Sequence, residues 1–91
     1  MNIEIVLAKE FEDNYAFLPL SIKKRAEKQE EIFKGNPFYP SLHTEKLIPK
    51  SKELWSFRIN RKYRVVFKFL NKNTVVFLSI GPHDWIYKIK F

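Results

Sequence analysis

Few side chains in this sequence suit acid–base or electrophilic work at neutral pH, and most of them fall in its second half. His83 lies in "SIGPHDWIYK", residues 79–88, followed at once by Asp84 and four residues on by Tyr87. An imidazole titrates close to neutrality, so it can give or take a proton at working pH. Upstream, "FRINRKYR", residues 57–64, carries Arg58, Arg61 and Arg64, and Lys68 follows. Guanidinium groups keep their charge and present forked donors that match phosphate oxygens. A proton carrier near fixed cations could act beside a bound anion. The plainer alternative is a surface histidine at the end of a strand and solvated arginines on a sheet face. His43 has a weaker claim, and two distant histidines without a cysteine make no recognisable metal site. There is no P-loop, no Gly-rich dinucleotide motif and no nucleophilic-serine pattern. Neither a metal nor a cofactor is expected.

Ninety-one residues allow one domain, 1–91, with a core too small to divide. Nine Phe, four Tyr and two Trp let so short a chain bury much area per residue. Seventeen Lys and Arg against ten acids leave a formal charge of +7, which favours an anionic partner such as nucleic acid. Disulfides and thiol chemistry are excluded, since there is no cysteine. The opening "MNIEIVLAKEFED" has early acids and no long apolar run, as neither a signal peptide nor a membrane span would. A cytoplasmic protein with no membrane partner is the expectation.

The elements that must position these residues follow from periodicity. "IEIVLA", 3–8, is a short β-branched strand. Phe11, Tyr15 and Leu18 share one helical face up to Pro19. Ile22, Ala26, Gln29 and Phe33 keep the same period on a second helix, which "KGNP", 34–37, stops. The two form a helical hairpin. Residues 35–53 hold three prolines and predict a long loop, the kind that often carries function. Strands follow at 54–60, 63–70 and 74–80. The segment 86–91 is either a short edge strand or a helical turn. The predicted fold is α+β: an N-terminal strand, a two-helix hairpin, then a three- to four-stranded antiparallel sheet.

Parity places the first hairpin. Trp55, Phe57 and Ile59 must share a face with Phe67, Val65 and Tyr63. Ile59 then stands opposite Tyr63, and Asn60, Arg61 and Lys62 form a three-residue loop. This register sets Arg58 opposite Arg64, an unfavourable pairing unless an anion lies between them or water screens both. Arg58, Arg64 and Lys68 then point from an open face, with Lys46, Lys50 and Lys52 in the preceding loop. Such a face can hold a single nucleic-acid strand, its cations tracking phosphates and an aromatic stacking a base.

The order of these elements resembles the RelE/ParE superfamily of bacterial toxins. The resemblance is carried by "LWSFRINRKYRVVFKF" and "VVFLSIGPHDWIYK": an aromatic-Ser-x-Arg-Ile strand, a tight turn, a Tyr-Arg-hydrophobic strand, then Ile-Gly, a histidine and an aromatic four residues on. "NPFYPSLHTEKL" is similar to the family's stretch after its second helix, and the likeness covers nearly the whole chain. The chain looks nearer the RelE- and YoeB-like mRNA interferases than the ParE-like inhibitors of DNA gyrase, which act by binding without catalysis.

What the resemblance implies is a toxin that cuts mRNA on the ribosome, without metal, and is held by a cognate antitoxin protein. In catalytic roles it implies Arg64 against the scissile phosphate, His83 as general acid or base, and Tyr87 near the substrate base. In substrate binding it implies Arg58, Arg61, Lys68 and Lys46, the last in the loop where RelE-like members place lysines. The glutamate base of YoeB-like members has no secure counterpart; Glu45 is the nearest.

Overall fold

Five strands form one sheet in the computed structural model, which describes residues 2–86. In chain order the elements are β1 (Glu4–Leu7), α1 (Lys9–Ala16), α2 (Leu20–Gly35), β2 (Glu45–Lys46), β3 (Trp55–Arg58), β4 (Tyr63–Asn71), β5 (Thr74–Pro82) and α3 (His83–Ile86). Strand order across the sheet is β1-β5-β4-β3-β2. The antiparallel hairpins β3–β4–β5 are as the alternation predicts. The sheet is wider than expected at both edges. β1 pairs in parallel with β5, Glu4 opposite Thr74 and Leu7 opposite Phe77. β2 adds two residues beside β3 within the stretch expected to be loop. The rest of that stretch contains the 3-10 turns Pro40–Leu42 and Lys50–Lys52.

Both helices cover one face of the sheet. Pro19 precedes α2, and its carbonyl accepts from the Ile22 and Lys23 N–H groups. The buried stripe Ala26, Gln29 and Phe33 packs α2 down. Phe33 is fully buried among Phe57, Phe67 and Phe77, with ring centroids 4.9, 5.0 and 5.4 Å away. Gln29 ties the helix to the functional hairpin, its Nε2 donating to the Arg58 carbonyl at 2.9 Å and the Ser41 carbonyl at 3.3 Å. Tight rotamer packing of aromatic rings is what a short chain has for rigidity. Among the described residues, no helix is long and apolar enough to cross a membrane.

The second face is not an open one. Leu54, Val66 and Ile86 form a smaller core there, with Leu47 and Leu78 packed against it. The chain returns over this face through α3 and the segment that leads into β3. A bulge in β5 accompanies the change: Val66 faces Ser79 and Phe67 faces Phe77, so Leu78 is the extra residue. Ser56, on this same side of β3, is 1% exposed and its Oγ has no hydrogen-bond partner among the described residues. Ser56→Ala removes an unsatisfied buried hydroxyl and leaves the strand otherwise unchanged. We expect stability unchanged or raised by up to about 1 kcal/mol, measured by urea unfolding. A clear loss would show that the hydroxyl has a partner in solution.

Candidate functional site

The β3–β4 turn is built as parity requires. The Ile59 N–H donates to the Tyr63 carbonyl at 3.0 Å, and Asn60, Arg61 and Lys62 span the gap. Asn60 holds the turn through Oδ1, which accepts from the Lys62 and Tyr63 N–H groups, each at 2.9 Å. Arg58 stands directly opposite Arg64. Paired positions in an antiparallel ladder project to one side, so the two arginines share a face, and alternation puts Lys68 on it too.

Arg64 does not stand in solvent as the sequence predicts. It is 7% exposed, and its Nη1 donates to the carbonyls of Asn60, Arg61 and Tyr63 at 2.8, 2.9 and 3.2 Å. The face from which it projects also carries the second small core. Charged groups this deep are held by hydrogen bonds or they do not ionise. Arg64 is therefore a fixed cation whose orientation the hairpin loop determines.

His83 begins α3 beside this hairpin. Its N–H donates to the Lys62 carbonyl at 2.6 Å, so the histidine's backbone is pinned to the turn. Gly81 faces Arg64 across the ladder, and Pro82 faces Tyr63. A Cβ at Gly81 would collide with the Trp85 ring, so glycine is what lets that ring lie against the strand. The outcome is a shallow concavity of ≈ 360 Å³ lined by Arg61, Lys62, Arg64, Pro82, His83 and Asp84. His83 Nδ1 is 3.4 Å from an Asp84 carboxylate oxygen that is itself exposed, a long and solvent-screened contact. Neighbours on a strand point to opposite faces, and the turn into α3 is what lets Asp84 approach.

Of the residues singled out in the sequence, the structure brings Arg61, Arg64 and His83 into this concavity and adds Lys62, which had no assigned role. Its proximity comes from the His83 backbone bond to its carbonyl, which no sequence pattern announces. Arg58 and Lys68 lie on the same sheet face outside that lining. Lys46 is not with them. It pairs with Trp55, whose ring packs against the helix-side core, and its Nζ is 5.7 Å from the Trp55 ring centroid. Its register thus turns Lys46 to the opposite face, contrary to the grouping read from the sequence. Glu45, one residue earlier, pairs with Ser56 and so takes the Arg58 side. Tyr87 lies outside the described residues.

A second cavity, ≈ 380 Å³, opens on the helix side, where Glu12, Glu27, Glu30 and Tyr15 border an apolar floor. Burial raises the Glu30 carboxyl above its usual range, though nearby Lys34 opposes this. The Tyr15 phenol is raised by burial and by Glu27 and Glu30. Its acids make this cavity unsuited to an anionic ligand.

The profile of the HigB-like toxins, described as RelE-like toxins of type II toxin–antitoxin systems, matches residues 16–83, well over half of the chain. The chain belongs to this family. The RelE-like toxin also resembles solved structures over almost its whole length. A YoeB/ParE toxin from Agrobacterium tumefaciens superposes with a TM-score of 0.74 at 19% identity, covering 89% of this chain and 99% of that one. An archaeal RelE–RelB complex from Pyrococcus horikoshii gives 0.73 at 19%, over 90% and 96%. The DinJ–YafQ complex of Escherichia coli gives 0.76 at 11%, over 96% and 99%. At these identities the likeness is one of fold. An uncharacterized protein of Haemophilus influenzae is 39% identical over 46 residues, half of this toxin, and the match spans 45% of that relative's length.

Proposed function

We propose that this chain is the toxin of a toxin–antitoxin pair and that it cleaves mRNA bound to the ribosome. The observation that supports this best is the joining of His83 with Arg61, Lys62 and Arg64 in one cation-lined concavity. The reaction is attack of an RNA 2′-OH on its own 3′ phosphorus. The new 2′-O–P bond forms as the P–O5′ bond breaks, leaving a 2′,3′-cyclic phosphate and a 5′-OH. Arg64 donates to the phosphoryl oxygens as their charge grows. Because the loop carbonyls already orient it, little reorganisation accompanies the step. His83 moves a proton, either from the 2′-OH or to the departing 5′ oxygen. Arg61 and Lys62 hold the flanking phosphates, and Arg58 and Lys68 extend the positive face. Tyr87 is assigned to the substrate base. The concavity is shallow, so the ribosome supplies the in-line geometry of the mRNA. The similar structures from P. horikoshii and E. coli are complexes with a second protein, which favours a cognate antitoxin as partner.

The decisive assay uses purified toxin, stripped with a chelator, on ribosomes programmed with a defined mRNA. Cleavage with 2′,3′-cyclic phosphate ends supports the reading. In the same assay His83→Gln should keep ribosome binding and slow cleavage by about 10²–10⁴-fold, since glutamine can hydrogen-bond but cannot shuttle a proton at neutral pH. An unchanged rate and pH profile would remove His83 from the chemistry. Growth arrest that persists with no mRNA cleavage, and survives both His83→Gln and Arg64→Ala, would favour binding to DNA gyrase instead.

A further inference from the structure

Beside the cationic concavity, at the same end of β4 and β5, lies another concavity. It measures ≈ 360 Å³ and is bordered by Phe17, Tyr63, Gly81, Pro82 and Trp85, with Asn14 and, among the described residues, no charged one in its lining. Pro82 borders this pocket and the cationic one alike. Tyr63 and Arg64 are successive residues of β4, so alternation sends one side chain into each. Phe17 sits in the turn between α1 and α2 and is 89% exposed, an unusual position for a phenylalanine. Trp85 is 38% exposed, its ring laid on Gly81. Aromatic faces with no charge among them, next to fixed cations, are the two halves of a single-strand site: bases stack on rings and phosphates meet cations.

We infer that this aromatic pocket receives the unstacked base of a nucleotide adjoining the scissile phosphate. The inference rests on the nuclease reading and names a determinant of substrate choice within it. An RNA strand crossing the end of β4 and β5 at Pro82 sets a phosphate against Arg61, Lys62 and Arg64. The neighbouring base then turns over the edge between Phe17 and Trp85. Stacking tolerates any base, so the pocket demands a base and not a particular sequence. It also gives the α1–α2 turn a part in substrate binding, far in sequence from the site residues.

The test is single-turnover cleavage of ribosome-bound mRNA in which one nucleotide, on either side of the scissile phosphate in turn, is intact or abasic. The wild-type toxin should cut one of the two abasic substrates about tenfold more slowly than intact mRNA. Phe17→Ala should cut intact mRNA about tenfold more slowly and that abasic mRNA no more slowly than wild type does, because both changes remove one contact. Phe17→Tyr should restore the rate, and Phe17→Leu should not, since leucine keeps bulk without a π-face. Phe17 is exposed, so these variants should melt as wild type does. Arg61→Ala should slow both substrates by one factor, as the phosphate is present in each. Indifference of the wild type to both abasic positions, or losses from Phe17→Ala that multiply with the missing base, would overturn the pocket and leave the nuclease reading standing. A wild-type protein that cuts no mRNA would overturn both.

Discussion

Replacing Arg64 by alanine is expected to cost both cleavage and stability. Loss of a donor aimed at developing charge lowers the chemical step by about 10²–10³-fold, and turnover should fall more than substrate binding. The stability cost arises because the guanidinium is buried on three loop carbonyls at 2.8–3.2 Å. Charged hydrogen bonds contribute about 1.5–3 kcal/mol each at most and are not additive, so a net loss of about 2–3 kcal/mol is expected. The two effects separate in Arg64→Lys, which keeps the charge but lacks the planar fork that several acceptors require. Lysine should recover part of the stability and little of the rate. Full cleavage by a folded Arg64→Ala protein would rule out the assigned role, and an unchanged melting temperature would rule out the structural one.

Phe33→Ala is expected to be the most destabilising single change in the helices. The ring is fully buried and meets three others within 5.4 Å. Truncating such a side chain costs about 3–5 kcal/mol, a large share of the roughly 5–15 kcal/mol that holds a small domain together. Thermal unfolding by circular dichroism should shift down by about 15–30 °C, with Phe33→Leu losing less. A shift of only a few degrees would mean that the four-ring cluster closes over the gap. Cleavage should fall only in proportion to the folded fraction, because Phe33 lies behind the sheet from the cationic concavity.

The legible parts of this molecule were those in which neighbours in space are near neighbours in sequence. Alternation in β3 and β4 sufficed for the register, the loop Asn60–Arg61–Lys62 and the facing arginines, because one face of each strand is plainly apolar. Helical period located Phe11, Ala26, Gln29 and Phe33 inside. What escaped were the pairings without a local signal. β2 is two residues long, too short to show alternation, yet its register alone decides that Lys46 turns away from Arg64. The parallel bond between β1 and β5 joins segments about seventy residues apart. Arg64 was read as exposed because its acceptors are backbone carbonyls of Asn60, Arg61 and Tyr63, which no pattern of residue types announces. Lys62 and Phe17 join their pockets through the backbone bond of His83 and the position of the α1–α2 turn, neither of which is a pattern of residue types.

That parallel pairing also sets how late in synthesis the sheet can close. β1 leaves the ribosome early but can dock only on β5, and every residue of the cationic concavity lies between 61 and 84. Such long-range closures are slow to form, since the loop must be ordered before the contact rewards it. A nascent chain therefore carries two helical segments and an unpaired strand for most of its synthesis, without the cationic concavity. The topology thus makes closure of the sheet and assembly of the concavity late events that both wait on the last third of the chain.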